Sequence, residues 1–162
     1  MIYEIHLFVP KREKLTPTAV RWLFENGTDP THPEPFWPVY KLRPKALARL
    51  LLRFDPQLIP IQGVGNDVEL HYPDQRLGII LYTHDRGVIF FFPYMSYSQY
   101  SRIVLGICYT YIHYLEKMLG MWAYDPQLEV ITSESEYRSL EVVALMMDRI
   151  LPQHLSSGDE SA

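Results

Sequence analysis

The segment Leu77–Pro93, LGIILYTHDRGVIFFFP, places two apolar runs on either side of Asp85-Arg86-Gly87. Runs rich in β-branched and aromatic residues, broken by a glycine-containing tripeptide, read as a β-hairpin. The expected connection is three residues long, with Gly87 in the left-handed conformation. If His84 stands opposite Val88, then Ile80, Tyr82, Phe90 and Phe92 share one face, and Ile79, Leu81, Ile89 and Phe91 the other. Neither face alternates with polar residues, so neither suits water. A hairpin that is apolar on both sides has to be covered twice, either by two covers from the rest of the chain or by one cover and a partner.

With 162 residues the chain has material for one domain with a substantial core. That domain is expected over residues 1–151, with Pro152–Ala162 (PQHLSSGDESA) as a small polar tail. A net charge of −4 argues against a dedicated nucleic-acid binder, whose domain is usually basic. The lone Cys108 excludes an intrachain disulfide and any multi-cysteine metal site, and neither metal nor other cofactor is expected. One cysteine also fits a reducing compartment. Met1–Pro10 alternates polar and apolar residues and has no long apolar run of the secretory kind. Tyr97–Leu119, the most apolar helical stretch, contains Arg102, His113, Glu116 and Lys117, which speaks against a membrane span. The expectation is a cytoplasmic protein with no membrane partner.

In chain order, Tyr3, Ile5, Leu7 and Val9 alternate with Glu4, His6 and Phe8, the pattern of a half-buried strand. Thr16-Pro17 reads as the N-cap and first residue of a short helix with Val20, Leu23 and Phe24 on its apolar stripe, and Gly27 as its C-cap. Thr28–Pro44 holds five prolines among Phe36, Trp37 and Tyr40, so it is a loop. Its aromatics either tack it to the core or make it a proline-stiffened recognition loop. Lys45–Arg53 is a strong helix former, stopped by Asp55-Pro56. In Asp67–Tyr72, Val68, Leu70 and Tyr72 point one way and Asp67, Glu69 and His71 the other; with the hairpin this makes a three-stranded meander. Ser96-x-x-Gln99 has the form of a capping box before a helix of roughly 35 Å that ends at Gly120. Its apolar stripe is Tyr100, Ile103, Val104, Ile107, Cys108, Tyr111, Leu115, Met118 and Leu119. Met121–Tyr124 and Leu128–Ile131 read as a strand or bent strand pair, and Ser133-x-x-Glu136 opens a last helix running to Leu151.

Helices between runs of antiparallel strands define an α+β class, with a sheet of about five strands. The strand–helix–strand–strand–helix–strand skeleton resembles a ferredoxin-like arrangement with an insertion. Gly120 followed by Tyr124-Asp125-Pro126-Gln127 and the apolar Leu128–Ile131 resembles the close of a group of small uncharacterised bacterial α+β proteins, a likeness that implies no activity. Asp-Pro-Gln-Leu also occurs at Asp55–Leu58.

Glu4-x-His6 and Glu69-x-His71 each put a carboxylate and an imidazole on the outward side of a strand. On adjacent strands these four would converge, near His84, into a group able to hold a divalent ion or run acid–base chemistry. Otherwise they are cross-strand charge pairs on a solvated face. Cys108 on an apolar helix face reads as a small hydrophobe. Arg86-Gly87-Val88-Ile89-Phe90-Phe91 is loosely similar to an RNA-recognition strand but has Val88 where an aromatic belongs. Lys41, Arg43, Lys45, Arg49 and Arg53 form the one local basic cluster, able to meet phosphate or an acidic surface. Tyr94, Tyr97, Tyr100, Tyr109 and Tyr114 are the candidate interface residues, since rings off a core face serve protein contacts. The leading expectation is a non-enzymatic binding or assembly module whose partner is a second copy or another protein. The alternatives are a small metal-dependent or acid–base enzyme using Glu4, His6, Glu69 and His71, and RNA binding through the basic helix.

Overall fold

The computed structural model describes residues 2–11, 15–26, 31, 33, 35, 37–93, 98–127 and 129–132. Ten elements follow in order: β1 (Ile2–Phe8), α1 (Pro17–Asn26), α2 (Pro44–Phe54), β2 (Ile59–Gln62), β3 (Val68–His71), β4 (Ile80–His84), β5 (Gly87–Pro93), α3 (Ser98–Leu119), β6 (Trp122–Asp125) and β7 (Val130–Thr132). The strands form one sheet in the order β2-β3-β4-β5-β1-β6-β7, and every neighbouring pair is antiparallel. The class is α+β, with seven strands where about five are expected. The central β4-β5-β1-β6, with helices before and after the hairpin, carries the skeleton read from the sequence. β2 and β3 extend one edge and β7 the other. β2 escapes a sequence reading because Pro60 sits inside it, which only an edge strand tolerates.

Local chemistry sets the element ends. The Thr16 hydroxyl accepts from the Ala19 N–H (3.2 Å) as Pro17 opens α1. Gly120 takes φ +63° and donates its N–H to the Glu116 carbonyl (2.8 Å), closing α3. Gly27 and Ser96, expected as a C-cap and a capping-box residue, lie outside the described residues. So do the expected last helix, Ser133 to Leu151, and the tail Pro152–Ala162.

The central hairpin differs from expectation by one residue. His84 pairs with Gly87 and Leu81 with Phe90, so the connection is Asp85-Arg86 alone. A slip of one exchanges the faces. Leu81, Thr83, Val88, Phe90 and Phe92 share the inner face; Ile80, Tyr82, His84, Ile89 and Phe91 share the outer. β1 approaches closely at this point. A Cβ on Gly87 would stand 1.8 Å from the Leu7 carbonyl oxygen, and its φ is +144°. The glycine stands in the ladder rather than in the turn, at a position with no room for a side chain.

α2 and α3 cover the inner face. Tyr3, Ile5, Leu7, Phe90 and Phe92 pack with Leu47 and Leu51 of α2 and with Val104, Leu105, Cys108, Ile112 and Leu115 of α3. The buried stripe of α3 is rotated from the expected one: Leu105 and Ile112 are inside, while Ile103 and Met118 are more than half exposed. α3 is apolar nearly all round, so its periodicity alone does not choose a side. Among the described residues, α1 covers one end of the outer face, where Phe8, Val20, Leu23, Trp37, Val39 and Tyr124 form a second core. Arg86 fastens the hairpin turn to α1 by donating from Nη1 to the Leu23 carbonyl (3.0 Å), placing a cation at the negative end of that helix.

The two Asp-Pro-Gln segments fold alike. The Asp55 and Asp125 carboxylates accept from the N–H of Gln57 (3.0 Å) and Gln127 (2.9 Å), closing each turn. The second oxygen of each accepts from a tyrosine hydroxyl, Tyr111 on Asp55 (2.5 Å) and Tyr3 on Asp125. Among the described residues, no helix is long and apolar enough to cross a membrane.

Candidate functional site

The outer sheet face carries both Glu–His pairs, but two strands separate them. Glu4 lies beside Phe91, Phe91 beside Ile80, and Ile80 beside His71; one row on, the order is His6, Ile89, Tyr82, Glu69. Three strand spacings amount to about 14 Å, so the four polar side chains do not converge and an apolar band runs between them. Each glutamate binds its own histidine instead: Glu4 Oε2 lies 3.0 Å from His6 Nε2, and Glu69 Oε2 lies 2.8 Å from His71 Nε2. Among the described residues no group of three or more His, Cys, Asp or Glu is placed to hold a metal.

The two pairs also differ in exposure. His71 is half-buried, whereas His6 is buried against the Phe24 ring of α1, 4.4 Å away. An outward position on β1 is thus not a wet one, because α1 lies over it. The hydrogen bond from His6, working against partial burial, holds the Glu4 carboxyl below its usual range.

His84 stands on the same face beside Gly87, with Phe24 edge-on at 5.9 Å. Its Nδ1 accepts from the Arg86 N–H (3.2 Å), which leaves the ring proton on Nε2. Nε2 is buried and has no hydrogen-bond partner. Burial, the dominant cause, pushes the His84 pKa down and keeps the ring neutral. Neighbouring Tyr82 donates to Asp67 (2.7 Å), and burial first, then that carboxylate, raises its hydroxyl to about 12.

Of the candidate interface tyrosines, Tyr94 and Tyr97 lie outside the described residues and Tyr100 falls in the first turn of α3. Tyr109 and Tyr114 are half-buried against the inner core. Tyr114 stacks on Phe54 (4.2 Å between ring centres) and donates to the Leu50 carbonyl (3.4 Å), so it joins α3 to α2 within the chain. Cys108 is fully buried, and burial pushes its thiol far up, leaving it inert. Phe90 faces the inner core and Phe91 is half-buried, so the Arg86–Phe91 run does not present a row of stacking rings. The basic cluster divides: Lys41, Arg43, Lys45 and Arg49 gather at the entry to α2, and Arg53 lies at its far end.

The sequence marked both hairpin faces as apolar, but it missed β2 and the side on which the outer face stays partly open. Half-buried Ile80, Ile89 and Phe91 fill the apolar band and Ile2 (60 % exposed) borders it, while Ile59 (43 %) and Ile61 (45 %) lie on β2 beyond the Glu69–His71 pair. Among the described residues, neither core includes Ile80, Ile89 or Phe91. The alternation Ile59-Pro60-Ile61 carried a signal, hidden by its proline and its brevity. No protein-family model, curated protein or solved structure matches the chain.

Proposed function

We propose that this chain is a non-enzymatic assembly module that associates with a second copy of itself through the apolar band of its outer sheet face. The band is the observation that carries the reading. It lies across β4 and β5, between the Glu69–His71 pair of β3 and the Glu4–His6 pair of β1, and partly exposed apolar surface of this kind marks contact sites. A carboxylate, Glu4, borders it on one side and an imidazole, His71, on the other. A two-fold related copy can therefore set unlike groups against each other. The open edge of β2 is a poorer contact, since Pro60 removes a donor there. The same separation of Glu4 and His6 from Glu69 and His71 disfavours the acid–base alternative, which needs them together.

Sedimentation equilibrium over a wide concentration range tests the reading. The expected result is a reversible dimer that Ile80→Ser with Phe91→Ser weakens at least tenfold while the circular dichroism spectrum is retained. A native chain that stays strictly monomeric at the highest soluble concentration overturns it.

A further inference from the structure

At the end of the sheet where the β2–β3 and β4–β5 turns meet the start of α2, the surface folds into a cleft of about 670 Å³. That volume is in the range of small-molecule sites, roughly 300–1,000 Å³. The chain enters α2 pinned to the hairpin turn, the Leu42 N–H donating to the Asp85 carbonyl (2.6 Å). Around the cleft stand Lys41, Arg43, Lys45, Arg49 and Arg86, against the carboxylates Asp67 and Asp85. Asp67 already accepts from Tyr82, and Asp85 lies 3.5 Å from Arg86 Nε. Arg43, Lys45 and Arg49 are exposed and make no ion pair among the described residues. The balance is positive in a chain whose net charge is −4, and a concave surface of one sign concentrates ions of the other.

The helix start makes this placement costly. α2 has no side-chain cap at Arg43 and no acidic residue in its first turn, so the unpaired amides of that turn face a cationic neighbourhood. A helix N-terminus favours negative charge, and cations there oppose the dipole. Arg53, in the last turn, sits where a cation stabilises. Independently, His84 lines the same cleft, is only 3 % exposed, and has an Nε2–H donor without a partner. A buried donor left unmade is a standing cost, so this wall of the cleft is not fully satisfied by the chain itself. Leu42, Ala46 and Val64 add apolar wall beside the charges.

We propose that this cleft binds a small organic phosphate, its phosphoryl group held by Arg43, Lys45 and Arg49 at the start of α2 and its organic part against Leu42, Ala46 and Val64. An anion there neutralises three unpaired cations and completes the helix start at once. The site lies off the apolar band, so its occupancy does not depend on self-association.

Calorimetric titration of the full chain at low salt, with phenyl phosphate and inorganic phosphate as probes, tests the assignment. Phenyl phosphate is expected to bind saturably and more tightly than inorganic phosphate. Arg49→Ala weakens it at least tenfold, whereas Arg53→Ala, on the same helix but outside the cleft, changes it less than twofold. Lys45→Glu is the sharper variant, because it abolishes binding while raising the thermal midpoint. Absence of saturable binding by either probe, or equal loss from Arg53→Ala and Arg49→Ala, overturns the proposal. So does an RNA oligonucleotide that binds more tightly than phenyl phosphate with an affinity falling steeply in salt.

Discussion

Replacing Gly87 by alanine probes the close approach of β1 to β5. The added methyl would stand 1.8 Å from the Leu7 oxygen, where ordinary contact begins near 3.4 Å. β1 and β5 would have to part by about 1.6 Å locally, stretching the ladder at the Leu7–Val88 pair beyond hydrogen-bonding range. Losing one or two such bonds costs about 1–3 kcal/mol. Holding an L-residue at positive φ adds about 1–2 kcal/mol. The expected loss is therefore about 3–4 kcal/mol, a large share of a typical domain's stability. Gly65→Ala is the internal reference: its φ is +60° but no atom lies within 4 Å of the new Cβ. It should lose only the backbone part, about 1 kcal/mol. Urea titrations followed by the fluorescence of Trp22, Trp37 and Trp122 measure both. Equal losses at the two glycines would refute close approach as the source of the larger cost at Gly87.

Burial lowers the His84 pKa from 6.5, so the unfolded chain takes up protons that the folded chain refuses. Stability is whole above the unfolded value and falls as pH drops from about 6.5 toward the depressed folded value; urea midpoints at pH 7.5 and pH 5 should show it, and His84→Gln should flatten the difference. Glu4, with its pKa lowered from 4.5, adds a further decline below that value as its carboxylate is protonated, which Glu4→Gln should remove in the same titration. Tyr111→Phe deletes the hydroxyl that Asp55 accepts from and should cost about 1.5 kcal/mol in urea unfolding, more than an exposed tyrosine change. The Cys108 thiol should resist a disulfide reagent in the native chain and react within seconds in urea, since only unfolding exposes it.

The elements legible in the sequence are those whose signals are local. Thr16-Pro17, the Val68–Tyr72 alternation and the long apolar stretch closed by Gly120 each carry their own punctuation, and each folds where expected. What sequence could not supply was set by distant neighbours. The lack of room at Gly87 depends on Leu7, and the burial of His6 depends on Phe24. Both partners are contributed by other elements, so no window along the chain contains the cause. The distance between the two Glu–His pairs likewise follows from strand order, which periodicity does not encode. The division of the basic cluster was half visible: Pro44 marks a helix start, and cations beside it contradict what a helix start prefers.

β1 is an interior strand of the sheet, yet its two neighbours come much later. Tyr3 pairs with Phe92, and Phe8 with Trp122. At about 5–20 residues per second, β1 leaves the ribosome on the order of ten seconds before β6. During that wait its future place between two strands is empty, and Tyr3, Ile5 and Leu7 have no lasting shelter. Assembly is thus weighted toward contacts far apart in sequence, which slows folding. For this chain the interval of synthesis, rather than the finished state, is the window in which chaperones and stray partners compete for this interior strand.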